Sequence, residues 1–172
     1  MTAYFTDKIW RKDLTNQRVG IEAINAFCGS AYLDVADLAR HRKLDEKRFE
    51  NLLMKEKTVA LPFEDPISFG VNAAKPILDM MSDEEKDRIE LVITGTESSF
   101  DFGKSMSTYF HKLLGLNKNC RLLEVKTACY SGVAALQMAA SFILSQTSPG
   151  AKALVIATDM SRFFVAEGGE AL

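Results

Sequence analysis

The sequence predicts an α/β fold built on a parallel sheet. Two observations carry this. Short apolar runs at residues 89–94, 121–125 and 153–157 alternate with stretches of helical periodicity, the pattern of parallel strands joined by crossover helices. The helical stretch between the last two runs, residues 131–144, holds Val133, Leu136, Met138, Phe142 and Leu144 among alanines and has almost no polar face. A helix apolar all round is expected between layers.

The elements follow in order. Residues 1–17 have weak periodicity and read as a leader or extension. Residues 19–27 place Val19, Ile21, Ala23, Asn25 and Phe27 on one side, which predicts a strand. Asp34 is placed to cap a helix whose face is Val35, Leu38 and Ala39, and residues 45–53 read as a second short helix. Asp65 followed by Pro66 is a cap with proline at the first helical position. That helix runs through Val71, Ala74, Ile77 and Leu78, with a kink expected at Pro76. Residues 82–86 form a capped turn. Residues 89–94 are a strand buried on both faces. A helix over 105–114 stops at Gly115. Pro149-Gly150 turns the chain into the last strand, which ends in Thr158-Asp159. No repeat, low-complexity tract or linker divides the chain.

A chain of 172 residues is enough for one domain with a real core. A net charge of −2 without a basic stripe speaks against nucleic acid as a partner. No apolar stretch reaches the length of a membrane span, and the N-terminus lacks the apolar core of a signal peptide. The cysteines Cys28, Cys120 and Cys129 are odd in number and widely spaced, with no zinc-ligand pattern. Such a set fits a reducing compartment, so a cytoplasmic location is expected.

Three polar side chains stand just past apolar runs: Glu97, Cys129 and Asp159. Ligands of parallel sheets bind at the C-terminal strand ends. Cys129 lies where a strand gives way to a helix, and the free N–H groups of a helix start favour a thiolate and an oxyanion. Covalent acyl transfer through Cys129 is therefore expected, against the plainer reading of a buried, inert thiol. Glu97 is the candidate general base; otherwise it caps a turn. Asp159 either supports the site or holds a loop. The two histidines, His41 and His111, follow no strand end and read as surface or structural residues.

At these residues the chain resembles a known family. Val19-Gly20-Ile21-Glu22, Gly70-Val71-Asn72-Ala73-Ala74-Lys75, Thr96-Glu97-Ser98, Ala128-Cys129-Tyr130 and Val155-Ile156-Ala157-Thr158-Asp159 are similar, in order, to the 3-hydroxy-3-methylglutaryl-CoA synthase family. Leu61-Pro62-Phe63-Glu64-Asp65-Pro66, Ala128-Cys129-Tyr130-Ser131-Gly132, Ser161-Arg162-Phe163 and Glu167-Gly168-Gly169-Glu170 resemble its polyketide β-branching branch. Where the primary-metabolism enzymes carry a Gly-x-Gly-Gln-like stretch, this chain reads Asn51-Leu52-Leu53-Met54-Lys55-Glu56-Lys57.

The resemblance implies a thiolase-like fold of two βαβ halves, of which residues 18–172 would be the N-terminal half, with the second half not in this chain. It implies that Cys129 takes an acetyl group, that Glu97 removes a methyl proton, and that the carbanion adds to a β-ketoacyl thioester. Asp101 matches a family acid and joins Asp159 as a supporting group. The substrates would ride on phosphopantetheine of donor and acceptor acyl carrier proteins or of CoA, with no permanently bound cofactor or metal. A homodimer is implied too. The family's catalytic histidine comes from the second half, so this chain alone is expected to be incomplete. Two rivals remain: a thiolase-fold ketoacyl synthase, and a non-catalytic fragment or carrier-protein-binding remnant.

Overall fold

The computed structural model describes residues 18–98 and 100–160. In chain order the elements are β1 (Tyr32–Asp34), α1 (Val35–Arg42), α2 (Glu46–Asn51), β2 (Glu56–Thr58), α3 (Pro66–Asp79), α4 (Asp83–Asp87), β3 (Ile89–Gly95), α5 (Ser107–Leu113), β4 (Arg121–Val125), α6 (Ser131–Leu144) and β5 (Lys152–Ala157). The expected leader at 1–17 and the motifs at 161–163 and 167–170 lie outside the described residues.

The parallel sheet is three strands in the order β4-β3-β5. Its register pairs Gly95 with Val125 on one side and with Ala157 on the other. All three strands therefore end at one level, and the residues that follow them emerge side by side.

The central strand explains the layering. Successive side chains of β3 point to opposite faces. Leu91 and Ile93 pack on Ala135 and Ala139 of α6. Val92 packs the other way, with Leu78, Ile89 and Leu116. On that same face Thr94 meets Ser107 of α5 through a hydroxyl contact of 2.8 Å, both fully buried. Ile67 and Ala74 of α3 and Phe110 of α5 close a cluster over Ile156 of β5. Gly70 is required where α3 crosses: a Cβ there would lie 2.6 Å from the Phe110 ring.

Local chemistry sets the helix ends. Asp65 and Ser68 form a reciprocal capping box, Ser68 N–H donating to Asp65 Oδ1 at 2.6 Å and Asp65 N–H to Ser68 Oγ at 2.8 Å, with Pro66 opening α3. The helix continues through Pro76 to Asp79. Asp34 caps α1 by accepting from Ala36 N–H and Asp37 N–H, both at 2.9 Å. Gly115, at φ +63°, ends the α5 segment as expected.

One expectation fails. Residues 19–27 form no strand. Ile21 and Ile24 are exposed, and the segment is tied by side chains, Asn25 Nδ2 donating to Ala73 O at 2.9 Å and Lys152 Nζ to Glu22 at 2.7 Å. Alternation makes a strand only where a sheet edge is there to pair with. Half of the cover expected for α6 is present. The helix covers the sheet with Ala135 and Ala139, but Val133 stays 49 % and Leu136 45 % exposed. Among the described residues it has one covered face, and nothing packs on the other. The small antiparallel pair β1-β2 was not foreseen, since three-residue strands are too short to show a period.

Candidate active site

The strand ends bring the chemistry together. Past β3, the chain runs Thr96-Glu97-Ser98; past β4, it turns through Thr127-Ala128-Cys129-Tyr130 into α6. The thiol of Cys129 donates to Glu97 Oε2 at 3.9 Å, and both side chains are exposed. The turn that carries Cys129 is tight. Tyr130 N–H donates to Thr127 O at 3.2 Å and Ser131 N–H to Ala128 O at 3.0 Å. Ala128 takes φ +49°, a left-handed conformation that costs a non-glycine residue about 1 kcal/mol. The helix proper begins two residues after the cysteine, at Ser131. The N–H groups of Tyr130 and Ser131 thus close the turn, in contrast to the expected oxyanion cradle directly at Cys129.

Asp159, just past β5, reaches across to the Glu97 loop. Its Oδ1 accepts from Thr96 Oγ1 at 2.7 Å, Glu97 N–H at 2.6 Å, Ser98 N–H at 2.9 Å and Ser98 Oγ at 3.1 Å. It holds the backbone of Glu97 and leaves that carboxylate free to face the thiol.

Asp101 is not brought into this group. Its Oδ1 accepts Gly103 N–H at 2.9 Å and Lys104 N–H at 3.0 Å, and its Oδ2 accepts the Tyr109 hydroxyl at 3.0 Å. The Gly103 N–H first, then the Tyr109 hydroxyl, hold its carboxyl below the usual range. Lys104 Nζ stands 4.2 Å from the centre of the Tyr109 ring, and Phe100 meets that ring edge-on at 5.4 Å.

The histidines are taken up elsewhere, as expected. His111 Nε2 lies 2.7 Å from Asn117 O, and His41 Nδ1 lies 2.8 Å from Asp37 O. Of the other cysteines, Cys28 is exposed and Cys120 is partly covered, where burial pushes its thiol up to about 11. A cavity of about 220 Å³ opens beside Asp159, walled by Asn25, Phe27, Phe69, Ala73 and Thr158. No group of three or more metal-ligating side chains exists among the described residues, and none of their helices is long and apolar enough to cross a membrane.

Sequence reasoning missed two residues beneath the pair. Gly95 ends β3 where α6 begins: a Cβ there would lie 2.7 Å from the carbonyl group of Ser131. Ser131, 2 % exposed, turns its hydroxyl back under the cysteine turn. It accepts Thr127 N–H at 2.7 Å, and its proton faces the carbonyls of Thr96 at 2.9 Å and Ala128 at 2.8 Å. The available signal was a hydroxyl in the first turn of an otherwise apolar helix.

Known proteins share this arrangement's sequence and fold. Residues 15–171 match the family model described as hydroxymethylglutaryl-coenzyme A synthase N terminal. The chain is 72% identical over 153 residues to the polyketide biosynthesis 3-hydroxy-3-methylglutaryl-ACP synthase PksG of Bacillus subtilis, covering 89% of this chain and 36% of that protein. It is 35% identical over 153 residues to a hydroxymethylglutaryl-CoA synthase of Enterococcus faecalis, covering 88% of this chain and 39% of that one. Among solved structures, PksG from Bacillus subtilis superposes with a TM-score of 0.82 at 71% identity, over 87% of this chain and 37% of the other. The curacin pathway HMG synthase in complex with acetyl donor-ACP superposes with a TM-score of 0.82 at 63% identity, over 87% of this chain and 36% of the other. The α/β architecture is accordingly the thiolase-like half expected from the resemblance, and the chain spans little more than a third of the length of these relatives. With strand order, a cysteine and a glutamate meeting at the strand ends, and a family model matched almost from end to end, the chain belongs to the hydroxymethylglutaryl-coenzyme A synthase family, in its N-terminal part.

Proposed function

We propose that this chain supplies the acetyl-accepting half of a 3-hydroxy-3-methylglutaryl synthase acting on acyl carrier proteins in polyketide β-branching. In this reading residues 18–172 are the N-terminal half-domain of a larger fold. The observation that carries it is the 3.9 Å approach of the Cys129 thiol to the Glu97 carboxylate at adjoining ends of parallel strands. The 72% identity to a protein named for this reaction supports the choice of carrier protein over CoA.

The chemistry follows from the two side chains. Cys129 sulfur attacks the carbonyl carbon of an acetyl thioester, and the phosphopantetheine sulfur of the donor leaves with a proton. The acetyl methyl then lies within reach of Glu97, which takes a proton from it. The resulting carbanion adds to the ketone carbon of a β-ketoacyl thioester on an acceptor carrier protein. The new alkoxide takes up a proton, and water releases the product acid from Cys129. Asp159 orients Glu97 through its backbone. Asp101 shapes the loop that follows and supports the site at a distance. A homodimer and a cytoplasmic location complete the proposal, with carrier proteins as partners.

The test is acetyl transfer. The chain is incubated with a carrier protein bearing radiolabelled acetyl-phosphopantetheine, beside Cys129→Ala and Glu97→Gln. Cys129 is expected to become labelled, Cys129→Ala to stay unlabelled, and Glu97→Gln to take up label as the unsubstituted chain does, since Glu97 acts after the acetyl transfer. Equal labelling of the Cys129→Ala variant would sink the assignment.

A further inference from the structure

We infer that Ser131 is a positioning residue, whose buried hydroxyl sets the separation of the Cys129 thiol from the Glu97 carboxylate. The inference rests on the reading of those two groups given above. Ser131 touches neither. Its contacts are with the residues immediately before them: Thr96 O, next to Glu97, at 2.9 Å, and Ala128 O, next to Cys129, at 2.8 Å. The same oxygen accepts Thr127 N–H at 2.7 Å. One hydroxyl thus joins the turn that carries the thiol to the loop that carries the carboxylate.

Packing does not explain this hydroxyl. Ser131 opens a helix whose other sheet-facing residues, Ala135 and Ala139, are alanines, and an alanine at 131 would fill nearly the same space. The neighbourhood is also shaped to let the bridge form. Gly95 has no side chain, so the first turn of α6 rests directly on the end of β3. Ala128 holds a left-handed conformation that aims its carbonyl back at the hydroxyl. Without Ser131, Thr127 N–H would lose its acceptor, and the two loops would be joined across their base only by strand pairing.

The experiment reads Cys129 reactivity directly. The rate of carbamidomethylation by iodoacetamide is followed at the Cys129 peptide by mass spectrometry. Four forms of the 172-residue chain are compared: unsubstituted, Glu97→Gln, Ser131→Ala, and the double variant. If Ser131 sets the spacing, Glu97→Gln changes the rate in the unsubstituted chain by a factor about threefold different from its effect in the Ser131→Ala background, the size expected for coupled neighbours. A role confined to stability would leave the two factors equal, and equal factors overturn the inference. Ser131→Gly, which also lacks the hydroxyl and adds no thiol, takes the place of Ser131→Ala if that variant does not fold, and is held to the same criterion. Alkylation does not depend on acetyl transfer. Coupling without acetyl labelling would count against the proposed reaction alone; labelling without coupling would count against Ser131 alone.

Discussion

Asp159 Oδ1 lies 2.6 Å from the backbone nitrogen of Glu97, a contact between residues 62 apart in sequence. The same oxygen takes three further donors from Thr96 and Ser98. One carboxylate oxygen past β5 therefore fixes the first three residues past β3, Thr96 to Ser98. It acts on the backbone, and that is why the Glu97 side chain is left to face Cys129.

Asp159→Ala should loosen that loop and leave the sheet standing. Removal of a charged acceptor from four donors, of which the Thr96 hydroxyl belongs to a buried residue and the other three are exposed, is expected to lower stability by about 1–2 kcal/mol. The measurement is urea unfolding followed by circular dichroism, paired with amide exchange. Glu97 and Ser98 amides should lose protection, while Val92 and Ile93 in β3 keep theirs. Unchanged exchange at Glu97 would contradict the anchoring role.

Gly95→Ala should be costly although the change is one methyl group. The new Cβ would meet the Ser131 carbonyl group at 2.7 Å and Gly132 N at 2.8 Å, all backbone. Backbone cannot swing aside as a side chain can, so α6 must shift off β3. The expected loss is about 1–3 kcal/mol, with slower acetylation of Cys129. Gly20→Ala, where no atom lies within 4 Å, serves as the control and should be neutral.

The Asp101–Tyr109 pair has a defined pH window. The Gly103 N–H and the Tyr109 hydroxyl depress the Asp101 carboxyl, and Asp101 in turn raises Tyr109. A depressed acid stabilises above its unfolded value, about 3.9, and loses that contribution as pH falls through the folded value. A raised phenol stabilises below about 10 and loses its contribution as pH rises through the folded value. The loop should therefore be firmest between these limits. In a carboxylate NMR titration Tyr109→Phe should move the Asp101 midpoint upward, yet leave it below an ordinary aspartate, since the larger Gly103 contribution stays.

Cys120 should be the slow thiol. With its value pushed to about 11 by burial, roughly one molecule in a thousand is ionised at pH 8, and the thiolate is the reactive form. Iodoacetamide at pH 8 is expected to modify the exposed Cys28 and Cys129 while Cys120 stays intact until urea is added. Early modification of Cys120 would contradict its packing against the cluster of Leu78, Ile89, Val92 and Leu116.

Much of the framework was legible because it rests on local chemistry. The Asp65-Pro66 start and the stop at Gly115 are caps, decided within a few residues. The three strands 89–95, 121–125 and 152–157 announced themselves as apolar runs because β3 is covered on both faces. The alternation at 19–27 misled for the opposite reason: a period of two describes a strand but cannot supply the neighbour that it must pair with. The uniform apolarity of 131–144 likewise spoke of two covered faces, and the described residues cover one.

By itself, the sequence determined which residues could do chemistry, since the strand ends offered one thiol, Cys129, and two carboxylates, Glu97 and Asp159, in parallel order. Tertiary structure alone decided that Cys129 and Glu97 meet at 3.9 Å, that Asp159 grips a backbone 62 residues away, and that Asp101, in the same β3–α5 connection as Glu97, turns to Gly103, Lys104 and Tyr109 instead. The reason is physical. Caps and periodicity are set by neighbours along the chain, whereas a contact between strand ends depends on register, and register is settled only when the strands pair.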